Sequence, residues 1–386
     1  MNLKMANTRH SCYKIIKDEI YLNPRLYDLP EDLVYVRSVY KDLEKQFERF
    51  ANGDLPFLFL TGPSGSGKTV ALFYFMKKFS KLLEPNQKII YVRCSSYTSY
   101  NQIIRDVASK MSAYFFEPPK SIMEFFDLLR KYRLSLLLIL DEVDKIQWDY
   151  IGKFLFTLSD ERGFGDPRVG FIATTNSRDF VIYVYKKIGG LQRRMDPDVY
   201  FPRYRSNELL EILKRRAKWC LKEGTWSDDI IEGIVGIMNR GPFKGNATFA
   251  LTVFSQFVYA CENAGLDRLD LHLFKNVFVE YGSKYLMNKL RYSVQGILIL
   301  YILSMLEGKN ILSFRKVYRS YFVKMCKDLG ITPITYRSFL RWLDKFRDDN
   351  VFSEHDDGLD KKVITLNLPK DIIKRLFDYI EQDVTA

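Results

Sequence analysis

Phe57-Leu58-Phe59-Leu60-Thr61-Gly62-Pro63-Ser64-Gly65-Ser66-Gly67-Lys68-Thr69 is a short apolar run that stops at a glycine and continues as GxxxxGK[ST]. The run has the length of a buried strand, and a helical segment follows the motif. That context separates a phosphate-binding loop from a chance glycine-rich turn. Gly62, Gly65 and Gly67 let the backbone wrap a phosphate, with Ser66 in the same turn. The helix N-terminus adds partial positive charge. Lys68 is placed for the β- and γ-phosphates of ATP or ADP, and the Thr69 hydroxyl for Mg²⁺.

Further apolar runs of strand length lie at Lys88–Arg93, Leu134–Leu140 and Arg168–Thr174, with helical segments between them. Strands alternating with helices predict a parallel sheet covered on both faces. Leu134–Leu140 ends in Asp141-Glu142-Val143-Asp144. Carboxylates at that end of a strand beside the phosphate loop meet the metal: Asp141 would hold Mg²⁺ and Glu142 would polarise an attacking water. Asn176, just beyond the last run, suits positioning the same water; it also suits stabilising a turn. Upstream, a helical pattern places Val39, Leu43, Phe47 and Phe50 on one side.

From about residue 205 the strand-like runs stop. Asn207–Leu221, Asp228–Asn239, Ala247–Ala264 and Leu269–Leu286 read as helices. Three more follow at Gln295–Leu306, Ser313–Leu329 and Thr335–Asp348, then strands at Val351–Glu354 and Val363–Leu368 and a last helix opened by Pro369. Three helices and a hairpin is the order of a winged helix-turn-helix. Between Lys309 and Arg347 stand ten basic residues and two acids. Such an excess favours phosphate contact by counterion release. Thr335, Tyr336, Arg337, Ser338 and Arg341 begin the candidate recognition helix, and Arg315, Lys316 and Arg319 lie on the helix before it. A winged helix that docks protein is the other reading. The acidic stretch Glu354–Asp360 at the wing tip would be repelled by a DNA backbone.

The totals agree. A net charge of +12 on 386 residues suggests an anionic partner, and 47% apolar residues exclude a disordered chain. The five cysteines and three histidines show no metal-ligand spacing. No apolar run approaches the length of a membrane span and no secretory signal is visible, so a cytoplasmic, nucleoid-associated protein without a membrane partner is expected.

These pieces together resemble the archaeal replication initiators related to the eukaryotic origin recognition complex and the cell-division-cycle helicase loader. The resemblance rests on Leu29-Pro30-Glu31-Asp32-Leu33 with Arg37, the phosphate loop, Asp141–Asp144 and Thr175-Asn176. Phe201-Pro202-Arg203-Tyr204 with Glu208-Leu209, Ile212-Leu213 and Arg216, and the C-terminal winged helix, complete it. It implies an α/β AAA+ domain over residues 1–204, an all-α lid over 205–288 and a winged-helix DNA-binding domain over 289–386. It also implies nucleotide contacts from Tyr204 and Arg216, which by themselves could be a core aromatic and a surface helix residue. Gly189–Met195 resembles the stretch that gives an arginine to a neighbouring subunit, with Arg194 in register; adjacent arginines are also ordinary on a surface loop. The implied function is an initiator that binds double-stranded origin DNA with nucleotide as a switch, alongside initiator paralogues and the replicative helicase. A remodelling ATPase and a STAND-type signalling ATPase are the alternatives. One departure stands out: the lid phrase that usually carries a sensing arginine reads Gly245-Asn246-Ala247-Thr248. Threonine cannot reach a γ-phosphate as arginine does. Slow hydrolysis and a divergent paralogue are expected.

Overall fold

The computed structural model describes residues 13–115, 117–160, 168–188, 190–288, 291–311, 313–356 and 362–385. The chain forms two compact units. One holds Arg25–Glu208 and Asn246–Thr248; the other holds Met1–Pro24, Leu209–Gly245 and Phe249–Ala386.

The first unit is an α/β layer structure. In chain order it contains α1 (Tyr40–Ala51), β1 (Phe57–Thr61), α2 (Lys68–Phe79), β2 (Gln87–Arg93), α3 (Tyr100–Lys110) and α4 (Ile122–Lys131). It continues with β3 (Ser135–Asp141), α5 (Trp148–Asp160), β4 (Val169–Thr175), α6 (Arg178–Lys187), the short α7 (Leu191–Arg194) and β5 (Val199–Tyr200). The strands are parallel in the order β2-β3-β4-β1-β5. The expected parallel sheet is thus present, with β5 added at its edge. Two residues are too few to show a strand period, which is why β5 is not legible in the sequence. Phe57, Leu58, Phe59 and Leu60 are fully buried, as a strand covered on both faces requires. On α1 the buried stripe is Tyr40, Leu43, Phe47 and Phe50; Val39 only caps the helix and is half-buried, so Tyr40 takes the place expected for it.

The second unit begins with the described residues 13–24. Ile16 bridges Leu221, and the Glu262 carboxylate accepts the N–H groups of Lys14, Ile15 and Ile16. Ile15, Ile16 and Leu22 are buried there. Helix α8 (Ser206–Cys220) leads in, followed by α9 (Asp228–Met238), α10 (Ala247–Asn263) and α11 (Leu271–Asn288). Then come α12 (Val294–Met305), β6 (Asn310–Ile311), α13 (Phe314–Val317), a π-helical turn (Tyr318–Phe322), α14 (Val323–Asp328) and α15 (Tyr336–Asp348). β7 (Phe352–Asp356), β8 (Lys362–Leu366) and α16 (Lys370–Thr385) end the chain.

The last three strands form an antiparallel sheet in the order β6-β8-β7. The single helix expected over Ser313–Leu329 is interrupted by the π turn, and β6 joins the expected hairpin as a third strand. The wing-tip residues 357–361 lie outside the described residues. Helix α16 packs back on α11 and α12: Tyr301 and Phe377 stack at 3.9 Å, and a Cβ on Gly282 would stand 2.8 Å from Ile372. No helix among the described residues is long and apolar enough to cross a membrane. Cys94, Cys220, Cys261 and Cys326 are buried free thiols, and no cluster of metal-binding side chains was found among the described residues.

Candidate nucleotide site and basic helical surface

Parallel strands direct their C-terminal ends to one edge, and in such sheets ligands bind there. β3 ends at Asp141, which pairs in register with Arg93 of β2, while Thr61 of β1 pairs with Thr175 of β4. Phosphate loop, acidic cluster and Asn176 are therefore neighbours by topology.

Gly62, Gly65 and Gly67 all adopt positive φ, the backbone reason for glycine in this loop. Gly65 and Gly67 are also confined: a Cβ would meet the Asn246 carboxamide at the first and the Tyr204 hydroxyl at the second. Lys68 opens α2 and is nearly buried. Its Nζ donates to Gly62 O at 2.7 Å, Pro63 O at 3.1 Å and Asn176 Oδ1 at 2.8 Å. Burial lowers its pKa to about 8, against the pull of Asp141, Asp144 and Glu142. Thr69 Oγ1 donates to Asp141 Oδ2 at 3.1 Å. Tyr91 donates to the same oxygen at 2.7 Å, and Thr174 donates to the other.

Glu142 adopts a left-handed backbone at φ 59°. Its N–H donates to Thr174 Oγ1 at 2.9 Å, and its carboxylate accepts from Ser95 Oγ at 2.8 Å and Arg93 Nε at 3.4 Å. Among the sequence-predicted residues, Lys68, Thr69, Asp141, Glu142 and Asn176 thus come together with Ser66 and the loop glycines. Tyr204 joins them from the side, buried against Gly67, with burial pushing its pKa up to about 12.

Others stand differently. Arg194 is half-buried, paired with Asp160 and over the Phe156 ring at 4.8 Å, whereas Arg193 is exposed. Arg216 belongs to the second unit, where it is buried and donates to Tyr21 O at 2.9 Å and Asn23 O at 3.3 Å. Thr248 is exposed in the first turn of α10, while Asn246 beside it is buried. Arg37 and Asn246 stand in quoted phrases of the sequence without a role of their own, Tyr91 only within the run Lys88–Arg93, and Ser95 in none. The signals for Arg37 are its place after Leu29–Leu33 in the resembling phrase and its standing as a cation after the apolar Val34-Tyr35-Val36.

On the second unit, Arg315, Lys316, Arg319, Thr335, Arg337 and Arg341 are exposed, and Tyr336 and Ser338 half-exposed. Thr335 caps α15 by accepting the Ser338 N–H, and Arg315 lies over the Tyr336 ring at 5.5 Å. Tyr318, in the π turn, donates to Ile334 O at 2.7 Å and packs edge-on against Phe339. That contact fixes α13 and the π turn against α15. By contrast, Arg347 pairs with Asp344 and Glu354, and Lys345 with Asp349. The basic face is therefore carried by the residues nearer the start of each helix.

A family model described as an AAA domain matches residues 53–179. The chain is 24% identical over 318 residues to the ORC1-type DNA replication protein 1 of Sulfurisphaera tokodaii, covering 80% of this chain and 79% of that one. Its fold is similar to that of the Aeropyrum pernix ORC2 protein, solved as ADPNP-ADP complexes, with a TM-score of 0.70, 20% identity and coverage of 96% and 99%. It is also similar to the Aeropyrum pernix ORC1 protein solved in complex with DNA, with a TM-score of 0.56, 18% identity and coverage of 95% and 97%. With its phosphate loop, acidic partner strand and appended helical unit, the chain is thus similar over most of its length to archaeal ORC1-type DNA replication proteins, and its fold is similar to that of solved archaeal ORC proteins.

Proposed function

We propose that the protein is an ATP-binding replication initiator that recognises origin DNA, with the nucleotide acting as a conformational switch. The observation that carries this is the joining, in one chain, of a cation-filled phosphate loop and an exposed basic helical face. Lys68 already donates to two backbone carbonyls of its loop, acceptors that phosphate oxygens would replace. Thr69 and Asp141 offer adjacent oxygens, the donor type that Mg²⁺ prefers, and a bound Mg²⁺ would neutralise phosphate charge there. Residues 289–386 are the proposed winged-helix DNA-binding domain, with α15 as recognition helix. Tyr204 and Arg216 are the proposed further nucleotide contacts, and Arg194 the proposed finger toward a neighbouring subunit. Its present pairing with Asp160 would have to open. Other initiator paralogues and the replicative helicase are the partners this reading names. Anisotropy titration of origin-derived and scrambled duplexes, with and without ATP, tests it; equal affinity for both under every nucleotide condition would overturn it.

Glu142 is the proposed general base, with Asn176 ordering the water. The Glu142 carboxylate is engaged by Ser95 and Arg93, and Thr248 replaces the lid arginine, so turnover is expected well below the ~10 s⁻¹ of a median enzyme. Glu142→Gln should lower that rate by roughly 10²- to 10⁴-fold, the usual worth of a positioned base, while ATP binding persists. Phosphate release by the purified protein, with and without DNA, is the measurement. Rapid turnover stimulated by DNA would favour a remodelling ATPase.

The titration of Lys68 gives a second check. Its pKa of about 8 belongs to the nucleotide-free protein, and a bound polyphosphate favours the charged form and raises it. ATP affinity should therefore be flat below about pH 8 and weaken above it, by up to tenfold per pH unit. Proton uptake on binding should be seen near pH 8.5 by calorimetry in buffers of different ionisation enthalpy. A flat affinity from pH 7 to 9.5 would contradict the placement of Lys68.

A further inference from the structure

Arg37 is 8% exposed, and its guanidinium reaches into a cluster of backbone carbonyls. Nη1 donates to Ser66 O at 3.2 Å and Pro202 O at 2.9 Å, Nη2 to Arg203 O at 3.3 Å, and Nε to Glu208 Oε1 at 3.4 Å. Its carbon lies 4.4 Å above the Tyr204 ring, whose hydroxyl abuts Gly67. A buried cation must be matched by acceptors, and here three of the four are main-chain oxygens. One of them belongs to the phosphate loop. A second loop carbonyl, that of Gly65, accepts the N–H of Ala247 at 3.0 Å.

In a trans peptide the C=O and N–H point in opposite directions. Holding the Gly65 carbonyl from outside turns the Ser66 N–H into the loop, where it meets Pro63 O at 3.3 Å. Holding the Ser66 carbonyl from outside turns the Gly67 N–H the same way. Two consecutive amides are thereby aimed inward before any anion arrives. Donors set in advance bind a phosphate without the ordering cost that a loose glycine loop would incur.

We infer that Arg37 is a positioning residue that presets the Ser66 and Gly67 amides of the phosphate loop, with the Ala247 N–H as its counterpart on the lid phrase. This rests on the reading of the loop as the nucleotide site.

The test has two parts on the full chain. Heteronuclear relaxation of the Ser66 and Gly67 amides in the nucleotide-free wild-type protein should show them as rigid as the strand residues of β1. Mobile amides in that state would overturn the inference, whatever any variant does. In Arg37→Met the same amides should become mobile, and ATP and ADP affinity should fall roughly tenfold or more, with Arg37→Lys intermediate. Unchanged affinity, or weakened affinity with the amides still rigid, would also overturn it, the latter because the loss would then arise from packing elsewhere. If Arg37→Met fails to fold, the wild-type relaxation measurement decides alone. A wild-type protein that binds no ATP while its amides are rigid would instead remove the nucleotide reading and leave the clamp standing.

Discussion

Lys68→Ala is expected to weaken ATP binding by roughly two to three orders of magnitude, the range for removing one partner of a buried charge-assisted contact. Lys68 is the cation that the loop itself directs into its own centre, and its Nζ is satisfied there by carbonyls that a phosphate would displace. Asn176 Oδ1 also loses its donor in the variant, but it sits at the mouth of the site. The fold should survive, since β1 and α2 are held by the buried Phe57–Leu60 run and by Ala71, Leu72 and Phe75. Equilibrium titration with a fluorescent ATP analogue, beside a thermal melt, reads both. Unchanged ATP affinity would place the site elsewhere.

The second large effect concerns DNA. Truncation is a poor test, because α16 covers α11 and α12 and its loss would bare their apolar faces. Paired substitutions in the full chain avoid this. Arg337→Ala with Arg341→Ala removes two exposed cations from the proposed recognition helix. At roughly 1–3 kcal/mol of discrimination per base contact, the preferred site should lose roughly 10²-fold or more relative to a scrambled duplex. Lys316→Ala with Arg319→Ala should weaken both duplexes alike and flatten the salt dependence by roughly two units. A salt-titrated binding series on both duplexes distinguishes them. Identical losses from the two pairs would show that α15 does not read bases, and no binding at low salt would favour a protein-docking role.

What was legible in the sequence follows from how local each signal is. The phosphate loop announces itself in eight consecutive residues, and Asp141 and Glu142 are marked by the strand that ends on them. The parallel sheet was readable because its four longer strands are unbroken apolar runs. Arg37 was not, because its acceptors are main-chain oxygens 29, 165 and 166 residues away, and carbonyls carry no residue signature. The π turn at Tyr318–Phe322 left no trace either, since the surrounding residues keep a helical pattern to within one position. Arg216 is a case where the sequence shows a residue but not its partners. The family phrase suggested a nucleotide contact, while its guanidinium is committed to the carbonyls of Tyr21 and Asn23.

The partnership of residues 13–24 with Leu221 and Glu262 sets an order of events during synthesis. In sequence the α/β unit lies between the two parts of the other unit, so Ile15, Ile16 and Leu22 leave the ribosome some 200 residues before the surface that covers them. At about 5–20 residues per second, they wait roughly ten seconds to a minute. Throughout that interval the nascent chain carries an uncovered apolar segment. All five strands of the α/β sheet are therefore made before Ile15, Ile16 and Leu22 can be covered.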